Sequence, residues 1–359
     1  MAILKVANTL ADVDNNRKRV IYQSEALFCR DGTRYLHRVQ SINYNFTVPR
    51  TDVNQYGQLG QIERVIVEVP TVTLDFDYLL NGVTNEKSIL GDNSGNGTNG
   101  IIYTLNTTPS IEKQNYAIGL SNEGTDHSDG SIGSNPGFKI DDGFLTSYAW
   151  NAAVGEVPSA SVGVESTKME VGTVGAASEK FSLTTPAVLR PGNVKFTSAA
   201  TGGAINAGSG NDVPALGFDI LHVQSASVSL DVPRESISRL GDKFEYARLI
   251  TFPLTATLSL EGIVSSQVAN NLTDIVGTES VAAPDPGFDI AVKIFKASSG
   301  VNGLGLKLKN AKVDGHSITS SIGANKSVTL DYTVQVDEGG DAFASSAGGL
   351  FLEEITTTS

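Results

Sequence analysis

Four histidines and one cysteine, with scattered carboxylates, are the residues of this 359-residue chain best suited to metal, acid-base or nucleophilic chemistry. His37, His127, His222 and His316 are far apart, and only His127, within Asp126-His127-Ser128-Asp129, has carboxylates close by on both sides at ligand spacing. That cluster lies in a Gly- and Ser-rich stretch where turn chemistry accounts for its composition, so no metal is expected. Gly95-Asn96-Gly97-Thr98-Asn99-Gly100 fits the GxGxxG spacing, but a dinucleotide site needs a strand before it, a helix after it and an acidic residue further on. Ile101-Ile102-Tyr103 follows and reads as β-like, which argues against a cofactor. The chain has no Gly-x-Ser-x-Gly elbow, phosphate-binding Walker loop, paired metal cysteines or His-Glu-x-x-His. Cys29 reads as a partly buried thiol near the first strand. No catalytic constellation emerges, and the expectation is that the protein is not an enzyme and carries no cofactor.

The elements that would position any function are strands, and the chain states its main one twice. Val39–Arg50 (Val-Gln-Ser-Ile-Asn-Tyr-Asn-Phe-Thr-Val-Pro-Arg) returns at Val223–Arg234 as Val-Gln-Ser-Ala-Ser-Val-Ser-Leu-Asp-Val-Pro-Arg, at an offset of 184. Ile42, Tyr44, Phe46 and Val48 alternate with polar residues, as do Ala226, Val228, Leu230 and Val232, which predicts a half-buried strand in each copy. The Pro-Arg ending each copy, Pro49-Arg50 and Pro233-Arg234, removes a ladder donor and marks two equivalent corners.

Further on, Val72, Leu74, Phe76 and Tyr78 oppose Thr71, Thr73, Asp75 and Asp77, while Leu254, Ala256, Leu258 and Leu260 oppose Thr255, Thr257, Ser259 and Glu261. Pro70 and Pro253 stand just upstream, so Arg64–Tyr78 reads as two strands or one bent strand. The stretch Val154–Val164 matches Ile322–Tyr332 at an offset of 168, so each copy closes on an alternating strand. Glu86–Leu90 and Ser265–Ile275 are the helix candidates, the second from Val264, Val268, Leu272 and Ile275 at helical spacing. Gly91–Gly100, Asn122–Gly137 and Thr201–Asn211 read as surface loops, and Thr51–Gln61 as a polar loop that is a contact surface or a connector.

A repeat of this length predicts two similar domains, 1–185 and 186–359. With 40% hydrophobic residues the chain can build real cores, and 37 glycines amid many Ser, Thr, Asn and Val favour strands and turns. A net charge of −13 argues against a surface that grips nucleic-acid phosphates. The N-terminal residues lack a basic start followed by a long apolar run, and no run of eighteen apolar residues occurs, so a soluble protein made in a cytoplasm, away from membranes, is expected.

Asp142-Gly143-Phe144-Leu145-Thr146-Ser147-Tyr148 followed by Val154–Val162, and Asn310-Ala311-Lys312-Val313-Asp314 followed by Ser320–Gly323, resemble the closing segments of bacteriophage major tail (tail tube) proteins, as do the strands after Val39 and Val223. The resemblance implies a mainly β fold: two tandem tail-tube-like β-sandwich or barrel domains, each with a short flanking helix. It also implies a virion structural protein, assembled in the host cytoplasm, whose hairpins join those of neighbours around a channel for DNA ejection. Two copies per chain imply trimeric, pseudo-hexameric stacked rings, with a hexamer as the alternative, and contacts to a sheath or terminator and a baseplate. DNA would pass through without specific binding.

On that reading Thr71, Thr73, Asp75, Asp77, Thr255, Thr257, Ser259 and Glu261 are candidates to face the lumen, where like charge repels phosphates over about 8 Å at physiological salt. The rival within the family is a tail-terminal or baseplate ring protein. Outside it stands a β-sandwich receptor or carbohydrate-binding module, for which a single tryptophan, Trp150, offers little of the usual aromatic platform.

Overall fold

The computed structural model describes residues 25–30, 34–91, 100–121, 136–174, 194–200, 218–242, 244–267, 287–295, 303–321, 325–336 and 349–355. The first half runs β1 (Glu25–Cys29), β2 (Arg34–Tyr35), β3 (Val39–Thr47), β4 (Arg50–Val53), β5 (Glu63–Ile66) and β6 (Thr71–Leu79). Helices α1 (Thr84–Ile89), α2 (Ile101–Thr107) and α3 (Pro109–Glu112) come next, then β7 (Gln114–Leu120), β8 (Pro136–Ala153), β9 (Ser159–Ser166) and β10 (Lys168–Thr173). The second half runs β11 (Val194–Ala200), β12 (Phe218–Asp231), β13 (Arg234–Ile237), β14 (Ala247–Ile250), β15 (Leu254–Gln267), β16 (Phe288–Ile294), β17 (Gly303–Thr319), β18 (Ser327–Val336) and β19 (Gly349–Ile355). The protein is mainly β, and every strand pairing among the described residues is antiparallel.

Period-two patterning explains the strands. Val72, Leu74, Phe76 and Tyr78 of β6 are fully buried, as are Leu254, Ala256, Leu258 and Leu260 of β15. Burying each large side chain stabilises the fold by about 1.5–3 kcal/mol, and one continuous apolar cluster draws on both halves of the chain.

The long strands β8 and β17 each serve two sheet segments. The first part of β8 pairs with β7 and β10, and its last part pairs with β9 and β12. The change comes at Asp142, which takes φ 56° and donates its amide to Asn115 Oδ1 at 2.8 Å. In β17 the same step falls at Asn310, with φ 54° and its amide on Asp289 Oδ1 at 3.0 Å. Asp and Asn accept this left-handed conformation more readily than other non-glycine residues. The bend lays the segments face to face, with the Phe76 ring on β6 6.2 Å from Tyr116 on β7.

Strand registers recur across the two halves. Phe46 opposes Val72 and Leu230 opposes Ala256, both at the 184 offset, and a β-bulge interrupts the pairing after Val39 and again after Val223. Leu74 opposes Val164 as Leu258 opposes Tyr332, the second partner now at the 168 offset. Phe144 opposes Glu165 as Lys312 opposes Thr333, each followed by a bulge at the same step.

Arg64–Tyr78 forms two strands, β5 and β6, separated by a break that includes Pro70. Glu86–Leu90 corresponds to α1, which starts two residues earlier. Two expectations need correcting. Ile101-Ile102-Tyr103 opens helix α2 rather than a strand, because an apolar run buried on several sides satisfies either period; Ile101, Ile102 and Leu105 are all buried. Ser265, Ser266 and Gln267 belong to β15, with Gln267 opposite Phe218, so no helix begins at Ser265; the rest of Ser265–Ile275 lies outside the described residues. So do Gly95, Asn99 and the whole Asp126–Asp129 cluster. No helix among the described residues is long and apolar enough to cross a membrane.

Candidate functional site

Eight strands in the order β3, β6, β9, β8, β12, β15, β18, β17 form one continuous stretch of sheet. One face carries the buried apolar set, so the other must hold the intervening polar residues. A single row across it reads Ser41, Asp77, Ser161, Ala149, Ser229, Thr257 and Thr333, each opposite the next. The predicted residues all fall on this face: Thr71, Thr73 and Ser259 are half-buried, while Asp75, Asp77, Thr255, Thr257 and Glu261 are exposed.

Hydroxyls and carboxylates dominate the face. Ser41 donates to Asp77 Oδ2 at 2.7 Å, Ser259 to Asp331 Oδ1 at 2.6 Å, and Ser225 to Glu261 Oε2 at 3.4 Å. Asp75 and Asp231 add further negative charge. Apart from Lys312 at the β17 bulge, these strands place no lysine or arginine on it. Such a face attracts neither phosphates nor apolar partners, and it holds no group of three or more His, Cys, Asp or Glu able to bind a metal among the described residues.

Among the described residues, the two ends of the eight-strand stretch are free edges. At one end β3 pairs, among the described residues, only with β6; at the other, the last part of β17 pairs among them only with β18. Their counterparts in the middle, β12 and the last part of β8, pair with each other through Ser225–Asp231 against Ala153–Ser147. This central seam is dry: Ala226, Val228, Leu230, Tyr148 and Trp150 are buried. At the free edges the matching positions are less covered: Phe46 is 56% and Ile318 45% exposed, while Ile42, Tyr44 and His316 are half-buried. Exposed edges of this length invite pairing with another chain.

Two hairpins project beside the face. In β4–β5, residues 50–68 are all exposed, and Tyr56 and Leu59 stand free at the tip. In β13–β14, Leu240 is equally free. Both hairpins line one groove of about 1100 Å³, so they lie side by side. Gly57 and Gly241 hold φ of 85° and 98° in the two turns, a conformation that suits glycine.

The predicted corners sit where the strands hand over to these hairpins. Pro49 precedes Arg50, the first residue of β4, and Pro233 precedes Arg234, the first of β13. Their surroundings within the chain differ. Arg50 is exposed, whereas Arg234 reaches across the seam, donates to the Leu145 carbonyl at 3.1 Å and lies 5.1 Å over the Phe144 ring. Burial lowers the Arg234 pKa to about 10, which leaves it charged at neutral pH. Arg248 covers the same ring at 5.7 Å and pairs with Glu165 at 2.6 Å and Glu245 at 3.0 Å. The hairpin of the second half is thus bound to β8 and β9 of the first by cation–π contacts and an ion pair.

No family model matches the chain, and a search of curated proteins returns no similar one. The surface itself therefore carries the functional argument.

Sequence reasoning missed Phe144, Glu165 and Arg248; the signal for the last was its 184 spacing from Arg64. Two carboxyl groups, one buried and one half-buried, support the scaffold from behind. Glu86 in α1 is fully buried, accepts a 2.9 Å hydrogen bond from Tyr78, and has its pKa pushed up to about 7 by burial, against the opposing pull of that bond and its own backbone amide. At the β8 bend, partial burial of Asp142 is outweighed by hydrogen bonds from Lys113 and Lys168, at 2.8 and 2.6 Å, which hold its pKa below the ordinary aspartate value.

Proposed function

We propose that the protein is a structural subunit of a bacteriophage tail tube, with three chains closing into a pseudo-hexameric ring and rings stacking into a conduit for DNA. The observation that carries this reading is the polar, acidic sheet face bounded by two free edges whose counterparts already pair inside the chain. Each half of the chain acts as one tube unit, and the 184 and 168 register offsets supply the equivalence the ring needs.

Eight strands from each of three chains make a barrel of about 24. With strands about 4.8 Å apart and tilted by about 40°, its backbone diameter is about 48 Å, which leaves a channel of about 35–40 Å inside the side chains. That is wider than a nucleic-acid duplex. Closure removes both free edges, and the hydroxyl- and carboxylate-rich face then lines a wall to which phosphates do not adhere.

Electron microscopy of the purified protein tests the reading. Rings or tubes with a central hole are expected, built from multiples of three chains. A particle that stays monomeric at high concentration overturns it.

A further inference from the structure

The seam inside the chain is a template for the seam between chains, and the residues at the free edges have changed in pairs that preserve its fit. Resting on the ring reading above, we propose that β3 of one chain pairs antiparallel with β17 of the next in the register Ser41–Thr47 against Ser321–Gly315, and that Arg64 of the incoming hairpin pairs with Asp314.

The register follows from the two offsets. Val228 opposes Trp150 in the internal seam, so Tyr44 opposes Ile318 in the external one; Leu230 opposes Tyr148, so Phe46 opposes His316. Within each pair the larger ring has moved from the β8 side to the β3 side. Val with Trp becomes Tyr with Ile, and Leu with Tyr becomes Phe with His, so a large side chain still meets a smaller one. Exposure agrees at the outer positions: Trp150 is 1% and Leu230 0% exposed where the seam is closed, whereas their counterparts Ile318 and Phe46 are 45% and 56% exposed; Tyr44 and His316 are half-buried.

The charges have moved in the same way. Arg248 of the internal hairpin pairs with Glu165. Its counterpart Arg64 is exposed and pairs with Asp52 in its own hairpin, and the position matching Glu165 is Thr333, which cannot pair with it. The position matching Thr146 is Asp314, however, and Thr333 donates a 2.5 Å hydrogen bond to Asp314 Oδ2. The negative charge lost from one strand has appeared on its neighbour, held by the residue that replaced the glutamate. Phe144, the ring under Arg234 and Arg248, becomes Lys312, so the external seam exchanges a cation–π platform for an ion pair beside a like charge. The external seam should accordingly be weaker and more sensitive to salt than the internal one.

Full-length Asn45→Cys/Ser317→Cys tests the register, because these exposed positions match Ser229 and Ala149, a pair without mutual backbone hydrogen bonds, where side chains lie close. Oxidation should yield covalently linked trimers, whereas Ser41→Cys/Ser317→Cys, displaced by four residues, should not. Arg64→Asp and Asp314→Arg should each raise the concentration needed for assembly by about tenfold or more, and the two together should restore it. Rings that form without the Asn45–Ser317 crosslink, or a charge-swapped double variant no better than its parents, overturn this seam while leaving the ring reading intact. A wild-type chain that never oligomerises overturns both.

Discussion

Replacing Glu86 by Gln should remove a pH dependence built into the core of the first half. Glu86 is fully buried, and desolvation raises its pKa from 4.5 to about 7. Folding therefore favours the protonated form. That contribution is fully present below pH 4.5, declines as the pH rises through the folded value near 7, and is gone above it. A shift of this size corresponds to about 3 kcal/mol between the two ends of the range. Glutamine copies the neutral carboxylic acid in shape, so the variant should match the parent near pH 4.5 and exceed it by up to about 3 kcal/mol at pH 8. The assay is urea denaturation from pH 4.5 to 8.5, followed by fluorescence of Trp150, the single tryptophan. Parallel stability curves for the two proteins would show that Glu86 is solvated or fully paired, and the reasoning would fail.

Trp150→Ala should cost about 3–5 kcal/mol, because the indole is 1% exposed in the internal seam against Val228; a loss under about 1 kcal/mol in thermal unfolding would mean the seam is not packed as described. Gly137→Ala should cost about 1–3 kcal/mol, since a Cβ there would lie 2.3 Å from the Ile118 carbonyl oxygen and would force β7 and β8 apart; denaturation midpoints that do not move would contradict this. Lysine at Asp75, Asp77 and Glu261 together should make assembled particles retain duplex DNA at low salt and release it at high salt, read by electrophoretic mobility. Equal mobility of parent and variant would place this face away from DNA.

The strands were legible because their cause is local. Alternation through Ile42–Val48 and Ala226–Val232, punctuated by Pro-Arg, states both the face and the stopping point, and the offsets of 184 and 168 reappear in the pairing registers. The polar face was legible for the same reason, since Thr71 to Asp77 could lie only opposite Val72 to Tyr78.

Helix α2 was not legible: seven residues with apolar positions on several sides carry no decisive period. The false helix at Ser265 shows the same ambiguity, because Val264 continues the parity of Leu254–Leu260 while also standing four residues before Val268; pairing with β12 decided for the strand. The seam between β12 and β8 was hidden because it joins residues about 70–85 positions apart. Nothing local to Arg234, Phe144 or Glu165 announces that they meet.

A three-dimensional reconstruction of the assembled protein tests the central claim most directly. Rings of three chains should appear, with Asp75, Asp77, Thr257 and Glu261 on the wall of a central channel and β3 of each chain joined to β17 of the next. A ring with those residues on its outer surface, or one held together by other strands, would contradict the account.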